Sequence, residues 1–203
     1  MTKQEFASRL QNACAAVTAA EQELTEIDSR FGDADHGLTM SKIAKAISAA
    51  AGESEGGIQA MLDDAAMAVM VLNGGSAVPL WNTWLDGLQE EAPEGNEIDT
   101  AGIQAIFAKA LKALSDMSGA KVGDKTMMDA LIPAVEAAQN AKDDVMAVLE
   151  AAKGAAARGA KESEQYVSKY GRARSYKEKT IGTPDAGAVS TSLFFAGLCD
   201  GLK

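Results

Sequence analysis

The spacing of apolar residues is the feature that most constrains the fold of this chain. Along most of the 203 residues, apolar side chains recur at intervals of three and four, and alternating β-branched runs are absent. This period places apolar residues on one face of an α-helix, whereas a half-buried strand would need a period of two. Alanine makes up much of the apolar share and favours closely packed helices. The sequence therefore predicts an all-α protein.

Breaks in this pattern predict eight helices in a single domain that spans residues 1–203. The first helix is predicted at about 3–29, and the second begins after Gly37. The others are predicted at about 58–72, over the apolar residues of 80–88, from a cap at 99 or 100 through 114, and at about 126–140, 143–170 and 188–202. Eight helices with short connections predict an antiparallel bundle or a closed helical barrel.

Antiparallel alternation sorts the connections between helices into two groups. The connections after the first, third, fifth and seventh helices would lie at one end, and all four have unusual sequences. They span residues 32–37, 73–77, 118–125 and 171–187. The remaining connections, at 52–57, 93–96 and 140–143, resemble ordinary turns. We therefore predict that the four unusual loops form a functional site at one rim.

The first unusual loop carries a cluster of carboxylates. Asp28, Asp33, Asp35 and His36, the only histidine, fall within nine positions. Such carboxylates repel one another unless a cation or protons compensate, and oxygen ligands suit Mg²⁺ or Ca²⁺. In an extended loop, Asp33 and Asp35 would point the same way. One interpretation is a hard-metal site with a histidine that contacts phosphate; the other is a set of turn and capping residues.

Two further loops at the predicted rim suit an anion. Gly74-Gly75-Ser76-Ala77 precedes a helix, and the backbone N–H groups at a helix start can bind phosphate. The segment 169–179 contains one acid and five basic residues, which are Lys169, Arg172, Arg174, Lys177 and Lys179. This segment is either a solvated face or a cationic wall for an anionic ligand. Together with the acids, these loops predict a nucleotide di- or triphosphate bound with Mg²⁺.

Two other motifs have less specific interpretations. Gly123-Asp124-Lys125-Thr126 does not match the G-x-x-x-x-G-K-[ST] phosphate loop and is not counted as one. Asp185 precedes the last helix, where it could cap that helix or accept a hydrogen bond from a ligand hydroxyl.

Composition argues against several other classes of protein. The chain has 19 basic and 29 acidic residues and a net charge of −10, which disfavours binding to nucleic acid or to an anionic membrane surface. No apolar run reaches the ~18 residues of a transmembrane helix, and the polar start resembles no signal peptide, so we expect a cytoplasmic protein. Cys14 and Cys199 are predicted to be free and buried. With one histidine, a zinc site is not expected.

Five short motifs resemble the nucleotide-binding, L-type domain of the dihydroxyacetone kinase family. In chain order they are Gly32–Gly37, Gly74-Gly75, Gly123–Met127, Gly171–Ala173, and Ile181-Gly182 followed by Asp185, Gly187 and Ala188. The resemblance covers nearly the whole chain. It implies an eight-helix barrel with the nucleotide at one rim.

The resemblance also implies roles for individual residues. Asp28, Asp33 and Asp35 would bind two Mg²⁺ that bridge the phosphates of ADP or ATP. The residues implied in nucleotide binding are His36, Gly37, Thr39, Gly75, Ser76, Ala77, Leu80, Gly119, Met127, Arg172, Asp185 and Gly187. The acceptor sugar would be held by a separate K-type subunit, through a histidine there. In one branch of the family ATP exchanges as a substrate; in the other, a phosphotransferase-system protein rephosphorylates a permanently bound ADP.

Three segments depart from the family pattern. The phosphate loop has Ala77 and Val78 where the family has serine and a third glycine, Asp185-Ala186-Gly187 replaces Asp-Pro-Gly, and 174–177 differs from Ser-Tyr-Leu-Gly. We expect a kinase subunit that transfers phosphoryl to dihydroxyacetone or a related ketose. The altered phosphate loop leaves a noncatalytic nucleotide-binding regulatory module as the alternative.

Overall fold

The computed structural model describes residues 1–142 and 144–201, and these are helical as the sequence predicts. The α-helices in this part of the chain are α1 (Lys3–Ala19), α2 (Glu21–Ser29), α3 (His36–Glu53), α4 (Ile58–Met70), α5 (Ala77–Glu90), α6 (Thr100–Ser118), α7 (Met128–Asn140), α8 (Val145–Glu162) and α9 (Ala186–Asp200). Short 3-10 helices span Ser163–Gln165 and Arg172–Thr180. None of the described helices is long and apolar enough to cross a membrane.

Eight of these helices close into a ring. Each packs against the next in the order α1, α3, α4, α5, α6, α7, α8, α9, and α9 packs back against α1. The remaining helix, α2, packs beside the ring on α3 and α9. The predicted eight-helix barrel is therefore confirmed, with α2 as an additional short helix.

The ring closes where α9 meets α1. A Cβ on Gly197 would lie 2.5 Å from Ala13 Cα and 2.8 Å from the Asn12 carbonyl oxygen, so only glycine allows this approach. The Asn12 amide donates to the Gly197 carbonyl at 2.7 Å. Arg9 donates to the carbonyl of Cys199 at 2.6 Å. Close backbone contact and polar side-chain bonds together fix the first helix of the ring to the last.

Aromatic side chains fill the interior of the ring. Trp84 of α5, Phe107 of α6 and Phe195 of α9 are each 1% exposed. The ring centroid of Phe195 lies 6.3 Å from that of Trp84 and 5.7 Å from that of Phe107. Because α5 and α9 stand across the ring in the packing order, these contacts join its opposite sides. The barrel is a packed core rather than a pore.

The ordinary connectors meet at one end of the ring. The Ile58 N–H donates to the Gly95 carbonyl at 2.9 Å, and the Gln59 N–H donates to the Pro93 carbonyl at 3.0 Å. The connections 54–57 and 91–99 are thus adjacent, as antiparallel alternation requires. The same alternation places the four unusual loops at the opposite end of the ring.

The first predicted helix, at 3–29, is in fact two helices, and this part of the prediction is wrong. Ala20 has φ −92° and ψ 11°, which departs from helical geometry, and its N–H bonds to the Val17 carbonyl at 3.2 Å. The turn allows α2 to lie on α3 and α9, where Leu24 is fully buried. No glycine or proline marks the break, because tertiary packing causes it.

The seventh predicted helix, at 143–170, is also shorter than expected. Helix α8 begins at Val145 after an Asp144 cap and ends at Glu162. The Ser163 hydroxyl donates to the Ala160 carbonyl at 2.6 Å, and the chain then continues as a single 3-10 turn. The predicted start at Asp143 and the predicted end of the last helix at Leu202 lie outside the described residues.

Both cysteines are free and buried, which confirms the prediction. Burial raises the pKa of the Cys14 thiol to about 12. A thiol that resists ionisation in this way is an inert part of the core.

The contact between α1 and α9 predicts a strong effect of a single methyl group. Gly197→Ala should destabilise the fold by about 3 kcal/mol, because the added Cβ must push the two backbones apart. Urea unfolding would measure the change. Gly154→Ala on α8 is the matched control, because its Cβ would lie 3.6 Å from only Arg158 Nη1. The control should gain up to ~1 kcal/mol from helix propensity; equal effects at the two sites would contradict the prediction.

Candidate functional site

The four unusual loops line one cavity of about 590 Å³. Its walls come from the segments 28–39, 75–81, 117–128 and 168–187. A cavity of this size suits a small-molecule ligand. The prediction that these loops meet at one rim is therefore confirmed, and the closed ring of helices is what brings them together.

The three predicted acids form one cluster at the wall of this cavity. Asp28 lies in the last turn of α2, and Asp33 and Asp35 lie in the loop before α3. One oxygen from each carboxylate lies within 4.8 Å of the other two, an arrangement that could hold a metal ion. The ligand atoms are all carboxylate oxygens, the set that Mg²⁺ and Ca²⁺ prefer.

The backbone of the acidic loop is tightly turned rather than extended, which corrects the predicted loop geometry. Ala34 has a positive φ of 60°. The Asp35 N–H donates to the Asp28 carboxylate at 3.1 Å, so the loop folds back on α2. A Cβ on Gly32 would lie 2.0 Å from Asp28 Oδ1, which requires glycine at this position. The tight turn, rather than the alternation of side chains along an extended loop, brings the three carboxylates together.

A guanidinium already balances part of this negative charge. Arg172 Nη2 lies 2.8 Å from Asp33 Oδ2. Partial burial, followed by the charges of Asp33 and Asp28, raises the pKa of Asp35, and Arg172 offsets part of that rise. The cluster therefore favours a cation, and Arg172 supplies one from the opposite loop.

His36 joins the acidic loop to α9. Its Nε2 lies 3.1 Å from the Ser190 hydroxyl oxygen. Burial lowers the pKa of His36, while Asp28 offsets part of this shift, so the imidazole is neutral at pH 7. His36 lines the cavity, but one ring nitrogen is already engaged with α9. A neutral imidazole carries no charge and a single N–H, and the Ser190 hydroxyl, which donates to the Gly187 carbonyl at 3.0 Å, is placed to accept that N–H.

The glycine loop faces the acid cluster across the cavity wall. A Cβ on Gly75 would lie 4.0 Å from Asp35 Oδ2. Helix α5 begins two residues later at Ala77, and the Ser76 side chain makes no capping bond. The first N–H groups of a helix have no intrahelical acceptor, so this end of α5 offers donors to a ligand.

The basic segment contributes less to the cavity than a cationic wall would. Arg172 is the one of its five basic residues that lines the cavity. Lys169 binds Asp124 at 2.6 Å, whereas Arg174, Lys177 and Lys179 are exposed. The ring of Tyr176 packs on Phe31 with centroids 5.2 Å apart. Most of this segment is therefore a solvated face that rests on the acidic loop.

Asp185 caps the last helix, which was one of its two predicted roles. Its Oδ2 accepts the Ala188 N–H at 2.8 Å, and its own N–H donates to the Ser163 hydroxyl oxygen at 2.9 Å. Burial raises the pKa of Asp185 to about 7; the Asp129 charge adds to the rise, and Lys125 offsets part of it. Asp185 also lines the cavity and can meet a ligand there.

The cavity collects most of the residues predicted for the site. Those that line it are Asp28, Asp33, Asp35, His36, Thr39, Gly75, Ser76, Ala77, Leu80, Met127, Arg172, Asp185 and Gly187. Gly37 and Gly119 do not. Gly37 allows α3 to approach α2, since a Cβ there would lie 2.0 Å from the Glu21 carbonyl oxygen. Gly119 ends α6 in the left-handed conformation, with φ 65°.

Sequence reasoning missed several lining residues in or beside the third and fourth unusual loops. Among them are Ser118, Lys125, Thr126, Ser168 and Tyr170. Lys125 lay inside the motif set aside as a failed phosphate loop. Its burial could have been suspected only from the tertiary fold, because a lysine between polar residues resembles a solvated loop.

The fold and the cavity together define an all-α domain with a ligand site at one rim. The chain belongs to the DAK2 domain family, which it matches over residues 30–200. It is 37% identical to D-erythrulose kinase of Mycolicibacterium smegmatis in an alignment of 184 residues that covers 88% of this chain and 32% of that protein. The chain thus spans about a third of the length of this kinase.

Other relatives are similar to this chain over most of their own length. The ADP-binding subunit DhaL of PEP-dependent dihydroxyacetone kinase 2 from Listeria innocua is 28% identical, over 98% of this chain and 94% of that protein. The corresponding Escherichia coli subunit is 30% identical, over 87% of each. In fold, the chain resembles the dihydroxyacetone kinase from C. freundii, with a TM-score of 0.72 and 23% identity over 96% of this chain and 33% of that chain.

The Arg172–Asp33 ion pair predicts that this arginine competes with a metal. Arg172→Gln should tighten the binding of Mn²⁺ alone by about fivefold, since an exposed pair contributes up to ~1 kcal/mol. Electron paramagnetic resonance would measure the free ion. Arg174→Gln, exposed and outside the cavity, is the matched control and should leave Mn²⁺ affinity unchanged. Unchanged affinity in Arg172→Gln would contradict the competition.

The raised pKa of Asp185 predicts a pH-dependent stability. The folded protein binds a proton that the unfolded chain releases, so stability falls as pH rises from about 4 to about 7. Asp185→Asn keeps a capping side chain and removes this titration. Relative to the parent, its free energy of unfolding should rise across that window by at most ~4 kcal/mol. Urea unfolding at several pH values would measure this, with Asp99→Asn at the α6 cap as control. Parallel profiles for parent and Asp185→Asn would refute it.

Proposed function

We propose that this chain is the nucleotide-binding domain of a ketose kinase. It binds ADP or ATP with Mg²⁺, and the phosphoryl group passes to dihydroxyacetone, erythrulose or a similar ketose held by a K-type partner. The relatives support this proposal, since they are named as erythrulose kinases and as ADP-binding subunits of dihydroxyacetone kinase.

One observation carries the proposal: metal-type ligands, anion donors and a cation face the same cavity. The carboxylates of Asp28, Asp33 and Asp35 converge at one wall, and Gly75 and the start of α5 lie beside them. Arg172 reaches the cluster from the opposite loop. Carboxylates beside an anion site make sense only when a cation lies between them and the anion.

The residues present fit Mg²⁺. Three carboxylate oxygens at mutual distances within 4.8 Å match a hard cation that keeps several waters and shares phosphate oxygens. Asp28, Asp33 and Asp35 would hold it. When bound, Mg²⁺ neutralises and aligns the phosphates for in-line transfer. The chain's own contribution is then to position the nucleotide, since phosphoryl transfer needs little further covalent chemistry from the protein.

The phosphates would lie along the start of α5. Ser76 and Ala77 offer backbone N–H groups, whereas Pro79 offers none and Val78 N–H already bonds to the Gly75 carbonyl at 3.3 Å. Arg172, which pairs with Asp33 at 2.8 Å and lines the cavity, would contribute a positive charge beside the phosphates.

The nucleoside would occupy the more apolar side of the cavity. Leu80, Met127 and Gly187 line it together with Asp185. A Cβ on Gly187 would lie 3.2 Å from the Met127 backbone nitrogen, so glycine keeps this side open. Asp185 could accept a hydrogen bond from a ribose hydroxyl.

The phosphoryl donor stays open in this proposal. The Listeria and Escherichia relatives are named as ADP-binding subunits of PEP-dependent kinases, which suits a bound ADP recharged by a phosphotransferase-system protein. The erythrulose kinases are instead matched over a third of their length, which suits a chain that uses ATP beside a sugar domain.

A noncatalytic nucleotide-binding regulatory module is the second candidate. The phosphate loop favours it, because Ala77 supplies no hydroxyl and the buried Val78 packs against Gly74, on which a Cβ would lie 2.7 Å from Val78 Cγ2. To separate the two, the protein would be mixed with a K-type partner, a ketose and ATP, or with a phosphotransferase donor. Formation of sugar phosphate would support the kinase; its absence with both donors would favour the regulator.

Binding of ADP should depend on Mg²⁺ and on the acid cluster. Asp33→Asn should weaken Mg²⁺-dependent ADP binding at least tenfold, because it removes a metal ligand while it keeps the shape of the side chain. Isothermal titration calorimetry would measure binding with Mg²⁺ and with chelator. Asp63→Asn, an exposed acid on α4, is the matched control and should bind as the parent does. Equal ADP affinities of Asp33→Asn and the parent in the presence of Mg²⁺ would contradict the assignment of the acid cluster as the metal site.

A further inference from the structure

The segment 123–126 contains a lysine that is buried rather than presented to an anion. Lys125 is 5% exposed and has a left-handed φ of 60°. Its ammonium donates to the Ser163 carbonyl at 2.6 Å and to the Thr183 carbonyl at 2.5 Å. Two of its three N–H donors are therefore used by the protein itself. A lysine that binds phosphate as a point charge would keep them free.

A buried carboxylate fixes the loop that carries Lys125. Asp129 is fully buried on α7, and its two oxygens accept the N–H groups of Gly123 and Thr126, each at 2.6 Å. These bonds close the loop on both sides of Lys125 and hold it in its left-handed conformation. The lysine therefore projects from a rigid base.

Lys125 joins the two segments that flank the nucleoside side of the cavity. Ser163 follows α8, and Thr183 precedes α9. The Ser163 hydroxyl oxygen also accepts the Asp185 N–H at 2.9 Å, so the same junction positions the Asp185 cap. Met127, two residues after Lys125, lies against Gly187. The Lys125 ammonium thus sets the distance between the segment that carries Met127 and the segment 185–187, which lie on two sides of this part of the cavity.

Nearby carboxylates compensate the positive charge of the Lys125 ammonium. Burial lowers the pKa of Lys125, and the charges of Asp185, Asp129 and Glu164 act against that shift. An apolar side chain could fill the volume, but it would leave two carbonyls without their donor. The site therefore requires a hydrogen-bond donor at this position and not only a side chain of the right volume.

We propose that Lys125 is a positioning residue that sets the nucleoside-binding wall and takes no part in phosphate binding. This inference rests on the proposed nucleotide site. It requires that loss of Lys125 weakens ligands that carry a nucleoside and spares ligands that consist of phosphate alone. A phosphate-binding lysine would affect both kinds of ligand.

The test compares Mg²⁺-ADP with Mg²⁺-tripolyphosphate by calorimetry. Lys125→Met should weaken ADP at least about tenfold, since small misplacements of a binding wall are costly, and should leave tripolyphosphate unchanged. Lys125→Arg should recover most of the ADP affinity, because a guanidinium can reach both carbonyls. Lys169→Met is the matched control: it removes the exposed partner of Asp124 in the same loop and should affect neither ligand.

Each other outcome would overturn the inference. Equal weakening of both ligands by Lys125→Met would make Lys125 a phosphate ligand, and unchanged ADP affinity would deny it any role. If Lys125→Met does not fold, Ser163→Ala decides, because it keeps the carbonyl that Lys125 binds and removes the hydroxyl that accepts the Asp185 N–H and donates to the Ala160 carbonyl; it should weaken ADP alone. Parent protein that does not bind ADP, whether or not it binds tripolyphosphate, would show that the proposed function itself has failed, and this outcome is distinct from a failure confined to the Lys125 variants.

Discussion

Closure of the helical ring at the contact between α1 and α9 is the constraint on which the rest of the structure depends. Gly197 lets the two backbones approach, and Asn12 and Arg9 donate hydrogen bonds across the joint. The aromatic residues inside hold opposite sides of the ring at a fixed width. Because the ring is closed, each of the four unusual loops is held at the same rim. An open bundle would not fix the distance between the acidic loop and the loop before α9.

Charge is arranged differently on the two sides of the cavity. On the acidic side, Asp33 and Asp35 remain exposed, so a cation can replace Arg172 there without crossing the core. On the other side, Lys125 is buried and held by backbone carbonyls. An exposed pair can exchange partners at small cost, whereas a buried one fixes geometry. The first arrangement suits binding and release, and the second suits a wall that must stay in place.

Much of the fold and most of the candidate site could be predicted from the sequence. Apolar spacing predicted the helices, and parity of the connections placed Asp33, Gly75 and Arg172 at one rim, where the cavity contains all three. The errors have a physical pattern. The turn at Ala20 has no local signal, because it is imposed by the packing of α2 on α3 and α9. Lys125 was overlooked because burial of a charge depends on acceptors that are 38 and 58 residues away.

By itself, the sequence determined the helical period, the cluster of acids and the glycine-containing loops, since each of these is a property of neighbouring residues. Only the tertiary structure decided which charges are paired. Arg172 meets Asp33 although most of the chain separates them, and the other basic residues of its segment face away from the cavity. Pairing of this kind depends on distances across the closed ring, which local sequence does not encode.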